Sequence, residues 1–283
     1  MRRVVEPGLP AAHLGRPGQR NPGMKPEHER ATRIALSSLR DKGFALAGGN
    51  ALSKHGIGSR ESDDIDLFTN DLNQNVGESV EGLKTAFEEQ GYTAEVTRQY
   101  PAHARIEVAR GDEKTHIDLG QDYRSKPAVE TDVGPVISVE DAVGSKAASI
   151  YTRGEAKDFV DVNAAMEAGY STDHLLQLAD AREASPMDRP MFAQLLDDAQ
   201  RIPDAEYAKY GLDPEQTAGL KERMGAWANQ IRTREANPDI DKSVGLLNSG
   251  QAMPGQSQAA GSSSSAGHRP SLSQERSKGE RGS

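Results

Sequence analysis

The sequence predicts an α+β fold in which a small mixed sheet with flanking helices is followed by a helical second half. Two observations predict this class. Residues 44–119 contain short segments in which apolar and polar side chains alternate, as they do in half-buried strands. After residue 137 the apolar side chains recur mainly at helical spacing. Strands therefore come first along the chain and helices dominate the rest.

Residues 44–68 are the stretch from which the functional prediction starts. It opens with a short apolar run, breaks at Gly48 and Gly49, continues through one or two turns of helix, and ends in an alternating segment. Residues i and i+2 of a strand project from the same face. The alternation therefore predicts that Asp64 and Asp66 project together, while the apolar residues between them point into the core.

Two carboxylates on one strand face repel each other unless a cation lies between them or one of them binds a proton. A hard divalent ion such as Mg²⁺ is a natural partner, because it prefers oxygen ligands and is often shared with substrate phosphates. Glycines allow backbone N–H groups to approach an anion, and a helix N-terminus favours it further. The stretch therefore predicts a phosphate cradle beside a metal-binding carboxylate pair.

The remaining elements before residue 137 follow from periodicity. They are a helix that begins at Pro26 and ends near Gly43, a helix at 76–90, and strands at 92–98, 104–109 and 115–119. In the last strand Asp118 faces away from its apolar neighbours. It is therefore expected to join the acidic face.

The second half is predicted to be helical, and the two ends to be disordered. The helices are expected at 138–153, from residue 155, and at 172–182, 188–200 and 213–235. The predicted domains are a disordered arm at 1–25, a core at 26–137, a helical domain at 138–247 and a disordered tail at 248–283.

Composition excludes several classes of protein. The 283 residues include no cysteine, which excludes disulfides and thiolate metal sites and fits a reducing cytoplasm. No apolar run has the length of a membrane span, and the first residues lack the apolar region of a signal peptide. A cytoplasmic location is therefore expected. The net charge of -9 disfavours non-specific nucleic-acid binding but leaves room for a local basic groove.

Each signal alone has an ordinary explanation. A Gly-Gly pair is often a plain turn, alternating acids often line a solvated face, and Lys146 could be a surface lysine on a helix. Together the signals favour a functional site. His55 and His116 lack metal-ligand spacing and are interpreted as structural or loop residues. Arg153 and Lys157 lie close along a helix, which an anion near them would explain.

The motifs GGNALxxxGxxxRxSxDIDLF, HIDL and RGEAKDFVDV, with a lysine-bearing helix between the last two, resemble one family. It is the AbiEii/AbiGii abortive-infection toxin group within the polymerase-β-like nucleotidyltransferase superfamily. The resemblance covers about residues 30–170. It implies a polymerase-β-like core and a bacterial toxin with an antitoxin encoded nearby.

The resemblance also implies a role for each matching residue. Gly48 and Gly49 match the glycines that hold the triphosphate, and Asn50 stands where the family usually has Thr or Ser. Further matches to nucleotide-binding or catalytic positions are Arg60, Ser62, Lys146, Lys157 and Asp158. Lys146 is expected to contact phosphates, and Asp158 matches the acid of the family's Lys-Asp pair in RGEAKDFVDV, which the resemblance implies is functionally important. Asp64, Asp66 and Asp118 match the metal-binding carboxylates.

The implied reaction is transfer of a nucleoside monophosphate from an NTP to an acceptor hydroxyl, with one or two Mg²⁺ ions and release of pyrophosphate. Asp118 would complete a second metal site or take the acceptor proton. The expected acceptor is RNA, such as a tRNA end. Two alternatives stay open: a small-molecule acceptor such as an antibiotic, and a nucleotide-binding module without transfer, which Asn50 keeps open. A deep acidic pocket would favour a cationic drug; a basic groove would favour RNA.

Overall fold

A mixed seven-stranded sheet is the centre of the computed structural model, which describes residues 24–237. The strands are β1 Phe44–Leu46, β2 Asp64–Thr69, β3 Thr93–Gln99, β4 His103–Arg110, β5 Glu113–Gln121, β6 Val129–Thr131 and β7 Gly134–Val136. Their order across the sheet is β3-β4-β5-β2-β1-β7-β6. β2 pairs with β5 and β1 with β7 in parallel, and the other neighbours are antiparallel.

Helices flank the sheet and make up most of the rest of the described chain. They are α1 Pro26–Ser38, α2 Gly48–Lys54, α3 Val80–Glu89, α4 Val139–Thr152, α5 Ala156–Glu167, α6 Thr172–Asp180, α7 Arg189–Asp197, α8 Asp204–Ala208 and α9 Pro214–Ala236. The boundaries follow capping chemistry. Ser138 accepts a hydrogen bond from the Asp141 N–H at the start of α4, and Asp213 and Gln216 form a capping box at the start of α9. The predicted α+β class is confirmed.

The alternation that predicted β2 is confirmed, since Ile65 and Leu67 are fully buried. Other boundaries were predicted wrongly. The helix expected at 76–90 begins at Val80, because a 3₁₀ turn occupies Gly77–Ser79. The β6–β7 hairpin was not predicted, because its three-residue strands are too short to show a clear alternation of apolar and polar side chains.

Two further helix ends differ from prediction for the same physical reason, a tighter turn at the C-terminus. Gly43 follows the 3₁₀ turn Arg40–Lys42 rather than α1 itself, and its φ of 68° closes that turn. The helix predicted at 188–200 ends at Asp197 and continues as the 3₁₀ turn Asp198–Gln200. The short helix α8 was not predicted.

One hydrophobic core extends from the sheet into the helical half. On the sheet side it includes Val80, Leu83 and Phe87, the predicted apolar face of α3. In the helical half, Phe192 of α7 packs edge-on against Trp227 of α9 with ring centroids 5.2 Å apart. Such an aromatic pair adds about 0.5–1.5 kcal/mol beyond the burial of its area.

The predicted boundary between residues 137 and 138 falls between β7 and α4, and the division into two domains stays a prediction. The predicted tail at 248–283, the last residues of the predicted helical domain, and the arm at 1–25 except Met24 and Lys25 lie outside the described residues. Within residues 24–237, no helix combines the length and apolar character that crossing a bilayer requires.

Candidate active site

The sheet register brings three predicted acids to one face. β2 and β5 run parallel with Asp66 directly opposite Asp118, and Asp64 lies opposite His116. Side chains at paired positions of neighbouring strands project from the same face. The alternating acids of two separate segments therefore form one acidic surface, which we call the carboxylate face (Asp64, Asp66 and Asp118).

Three nitrogen-bearing side chains from β4 and β5 contact the outer two carboxylates. Nη2 of Arg105 lies 2.7 Å from Oδ2 of Asp64 and 3.0 Å from Oδ2 of Asp118. Nε2 of His103 lies 3.2 Å from Oδ1 of Asp118, and Nδ1 of His116 lies 3.5 Å from Oδ1 of Asp64. Neither Arg105 nor His103 was predicted to belong to the site, and His116 was expected to be a structural or loop residue.

Asp66 differs from its two neighbours. Within residues 24–237 its carboxylate forms no hydrogen bond or ion pair. Burial raises the pKa of Asp66; nearby Lys146 and Arg153 oppose that rise, while the charges of Asp118 and Asp64 add to it. The carboxylate is thus partly buried beside two other acids, a position that a bound cation would stabilise.

The two positions at the start of α2 leave no room for a side chain, which explains why both are glycine. Gly48 has a φ of +63°, and a Cβ atom there would overlap Oδ2 of Asp66. A Cβ atom at Gly49 would lie 2.7 Å from Nη2 of Arg60 and 3.2 Å from Oγ of Ser62. The first N–H groups of a helix have no intrahelical acceptor. This turn therefore places backbone donors between a carboxylate and a guanidinium group.

Asn50 and Ser62 both bind the backbone of β2. Nδ2 of Asn50 donates to the carbonyl oxygen of Asp64 at 2.9 Å, and Oγ of Ser62 donates to the same oxygen at 3.2 Å. Asn50 is almost fully buried. The two side chains thereby fix the position of Asp64, and the nucleotide contacts expected of them stay predictions.

Asp161 of α5 is a residue that the sequence analysis missed. It accepts from Nε and Nη2 of Arg60 at 2.6 and 2.7 Å, and Nζ of Lys146 lies 3.0 Å away. All three side chains are at least nine-tenths buried. Burial alone would raise the pKa of Asp161, but Lys146 and Arg60 outweigh burial and lower that pKa. An acid on the apolar side of a predicted helix was the available signal, one turn after Asp158.

Asp158 holds a different cation. Arg153 donates to its two carboxylate oxygens from Nε at 2.8 Å and Nη2 at 2.7 Å. Asp158 is fully buried and forms a capping box with Glu155 at the start of α5. Lys157 lies 2.8 Å from Glu155. The anions expected near Arg153 and Lys157 are therefore supplied by the chain itself.

The carboxylate face fits a divalent cation in its donor chemistry. Its side-chain ligands are all carboxylate oxygens, the type that Mg²⁺ prefers, and the carboxylate of Asp66 has no protein partner within the described residues. In that same part of the chain, no three acidic, histidine or cysteine side chains already converge as a metal site. Arg105 binds both Asp64 and Asp118, and a cation bridging these two carboxylates would have to displace it.

The structure is similar to that of MenT4, a nucleotidyltransferase toxin from Mycobacterium tuberculosis H37Rv. The TM-score is 0.50 at 14% sequence identity, over 78% of this chain and 92% of MenT4. JHP933 from Helicobacter pylori aligns with a TM-score of 0.46 at 18% identity, over 80% of this chain and 97% of JHP933.

A comparison with curated proteins gives no match. Residues 33–244 match the family described as nucleotidyl transferase AbiEii toxin, type IV toxin–antitoxin system. This match extends over most of the chain, confirms the resemblance found in the motifs, and implies an antitoxin partner. The chain therefore belongs to the AbiEii family and is a nucleotidyltransferase toxin of a type IV toxin–antitoxin system.

Proposed function

We propose that this nucleotidyltransferase moves a nucleoside monophosphate from an NTP to a hydroxyl group of RNA, such as a tRNA end, in the bacterial cytoplasm. The observation that supports it is the convergence of two elements at one end of β2. The carboxylate face lies directly beside the Gly48–Gly49 turn, close enough that Gly48 has no room for a side chain next to Asp66.

The triphosphate would bind at the Gly48–Gly49 turn. The backbone N–H groups of this turn suit phosphate oxygens. Arg60 lies against Gly49, and Lys146 is close enough to influence the pKa of Asp66. Asp64, Asp66 and Asp118 would hold one or two Mg²⁺ ions, which supply charge neutralisation at the phosphates when bound.

The reaction needs positioning more than covalent chemistry from the protein. The acceptor oxygen forms a bond to the α-phosphorus, and the bond from that phosphorus to the bridging oxygen of the β-phosphate breaks. Pyrophosphate leaves with the electron pair of that bond. Asp118, opposite Asp66 in the register, would accept the hydroxyl proton.

Basic side chains support RNA rather than a cationic small molecule as the acceptor. In the strand register, Arg105 of β4 lies opposite Asp118 of β5, and Arg98 of β3 lies opposite Arg105. Both arginines lie on the side of Asp118 away from the Gly48–Gly49 turn. Guanidinium groups bind phosphates well.

The experiment is incubation of the full chain with each α-labelled NTP, Mg²⁺ and total cellular RNA. We expect one or more NTPs to label an RNA of tRNA size. The variant Asp64→Ala is the control and should give no labelled RNA. Label in a small molecule only, or none in any RNA, would contradict the RNA acceptor. Equal labelling by Asp64→Ala would contradict the assigned site.

A further inference from the structure

Arg105 occupies a central position in a row of paired residues across four strands. From the middle of the sheet to its edge the row is Asp66, Asp118, Arg105 and Arg98, each directly opposite the next. Cα partners on neighbouring strands project from the same face. Arg105 therefore lies between the carboxylate face and Arg98 on the edge strand β3.

A β-bulge creates this contact. The pairing of β3 with β4 shifts between Val96 and Arg98, so that the extra residue Thr97 is left out of the register. Arg98, rather than Thr97, then lies opposite Arg105. Like charges directly opposite on paired strands are unfavourable, and bulges often redirect side chains beside active sites. An anion bound between these two arginines would relieve the repulsion.

The bonding of Arg105 leaves capacity for such an anion. Only Nη2 contacts Asp64 and Asp118, although a guanidinium group has five N–H donors. Nε of Arg105 is buried and has no hydrogen-bond partner within the described residues. The side chain is 30% exposed. The guanidinium group of Arg105 therefore has N–H donors left for a phosphate, which offers such a group paired hydrogen bonds.

We propose that Arg105 is the positioning residue that links acceptor binding to the carboxylate face. In the free chain its guanidinium neutralises Asp64 and Asp118 and competes with a divalent cation for them. A backbone phosphate of the acceptor, bound between Arg98 and Arg105, draws Arg105 away and leaves both carboxylates available. This inference rests on the proposed RNA acceptor and names the residues that contact its phosphate.

The alternative is that Arg105 only stabilises the fold by pairing with two acids. The two explanations differ in what a cation would do. A purely structural ion pair predicts that removing Arg105 lowers stability and leaves the effect of Mn²⁺ on RNA affinity unchanged. A competing internal cation predicts that its removal strengthens metal binding.

The first measurement is binding of Mn²⁺ alone to the full chain, followed by the spectroscopic signal of free Mn²⁺ and without nucleotide. Arg105→Gln should bind Mn²⁺ about tenfold more tightly than the natural chain, within the usual range of coupling between sites. Arg98→Gln is the matched control, because Arg98 lies in the same row without contacting an acid, and it should leave Mn²⁺ binding unchanged. Equal or weaker Mn²⁺ binding by Arg105→Gln would overturn the proposal.

The second measurement is the affinity for a short single-stranded RNA, by fluorescence anisotropy, with and without Mn²⁺ at constant ionic strength. Mn²⁺ should improve RNA affinity about tenfold more in the natural chain than in Arg105→Gln. Non-specific effects of Mn²⁺ on RNA are common to both proteins and cancel in this comparison. An equal effect of Mn²⁺ on the two proteins would contradict the link.

Melting curves would show whether each variant is folded. Should Arg105→Gln fail to fold, Arg105→Lys keeps the charge but loses the planar fork, and it should show a reduced effect of Mn²⁺ on RNA affinity. An effect as large as that of the natural chain would contradict a role for the guanidinium group. These measurements need no transfer, so the proposal can fail while RNA labelling succeeds, and the reverse.

Discussion

The chain contains two groups of carboxylates that differ in burial and in how completely basic side chains pair with them. Asp158 and Asp161 on α5 are almost fully buried, and each binds basic side chains at hydrogen-bond distance. Asp64, Asp66 and Asp118 on the sheet are partly exposed and crowd one another. Basic side chains pair directly with both α5 acids, whereas within residues 24–237 none pairs directly with Asp66, which lies at the centre of the sheet acids.

This difference indicates that the α5 acids position basic side chains, whereas the sheet acids are available to bind a cation. Acids that already hold Arg60, Lys146 and Arg153 have little capacity for another cation, so their effect is to fix where those basic groups lie. A carboxylate without a partner destabilises the free chain and is stabilised when a cation binds. Under the proposed function, the metal would bind at the sheet and the triphosphate beside the basic groups held by α5.

The largest effect is expected for Asp66→Ala. Transfer should fall by at least about 10⁴-fold, equivalent to about 5 kcal/mol of transition-state stabilisation, because a central metal ligand is lost. The free energy of unfolding at neutral pH should stay the same or rise, because the variant removes a charge that is crowded by neighbouring acids. The measurements are labelled-NTP transfer and urea unfolding. Full activity in Mg²⁺ would show that Asp66 is not a ligand.

The effect on stability should be the opposite for Asp161→Ala. Removing one partner of a buried ion pair leaves Arg60 and Lys146 without their anion and should cost about 3–5 kcal/mol of unfolding free energy. Asp173→Ala, which breaks a half-exposed pair with Arg234, is the control and should cost about 1 kcal/mol or less. Similar losses in the two variants would contradict the distinction between the groups.

The pH dependence of the two groups should also be opposite. The folded-state pKa of Asp161 is lowered, so its carboxylate stabilises the fold at pH values above the unfolded pKa. This stabilisation is lost as pH falls through the folded-state pKa. The folded-state pKa of Asp66 is raised, so its charge destabilises the fold once pH rises through that value.

Urea unfolding of Asp161→Asn and Asp66→Asn tests this opposition. At neutral pH the first variant should be less stable than the natural chain and the second more stable. The Asp66→Asn difference should shrink as pH falls toward about 4, the ordinary pKa of an Asp side chain, because the raised pKa of Asp66 lies above that value. The Asp161→Asn difference should shrink only as pH falls below about 4, because the pKa of Asp161 is lowered. Differences of the same sign at neutral pH would be incompatible with these pKa shifts.

The smallest effect is expected at Asn50. Asn50→Ala removes one of two side-chain donors to the Asp64 carbonyl oxygen and should cost about 1–2 kcal/mol of unfolding free energy. Ser62→Ala removes the other donor. The double variant should cost more than the sum of the two, since the oxygen then has no side-chain donor. Strict additivity would mean that the two bonds act independently.

The sheet acids were predictable from sequence because alternation is a local property of a strand. Ile65 and Leu67 are buried as the pattern required, and the third acid followed from the same argument. The partners of Arg60 and Lys146 were not predictable. Asp161 meets them across 101 and 15 residues of chain, and helical periodicity gives no information on such distances. The placement of Arg105 beside the acids depends on the register between β4 and β5, which a local sequence pattern does not reveal either.

The bond between Arg60 and Asp161 also has a consequence for synthesis of the toxin. Arg60 precedes β2, whereas Asp161 lies on α5, so the basic group beside the Gly48–Gly49 turn is fixed only after α5 has folded. A nascent chain that has left the ribosome only as far as β7 already contains the three acids but lacks both Lys146 and the anion that orients Arg60. Under the proposed function, the carboxylates would therefore be in place before the basic groups that face the triphosphate.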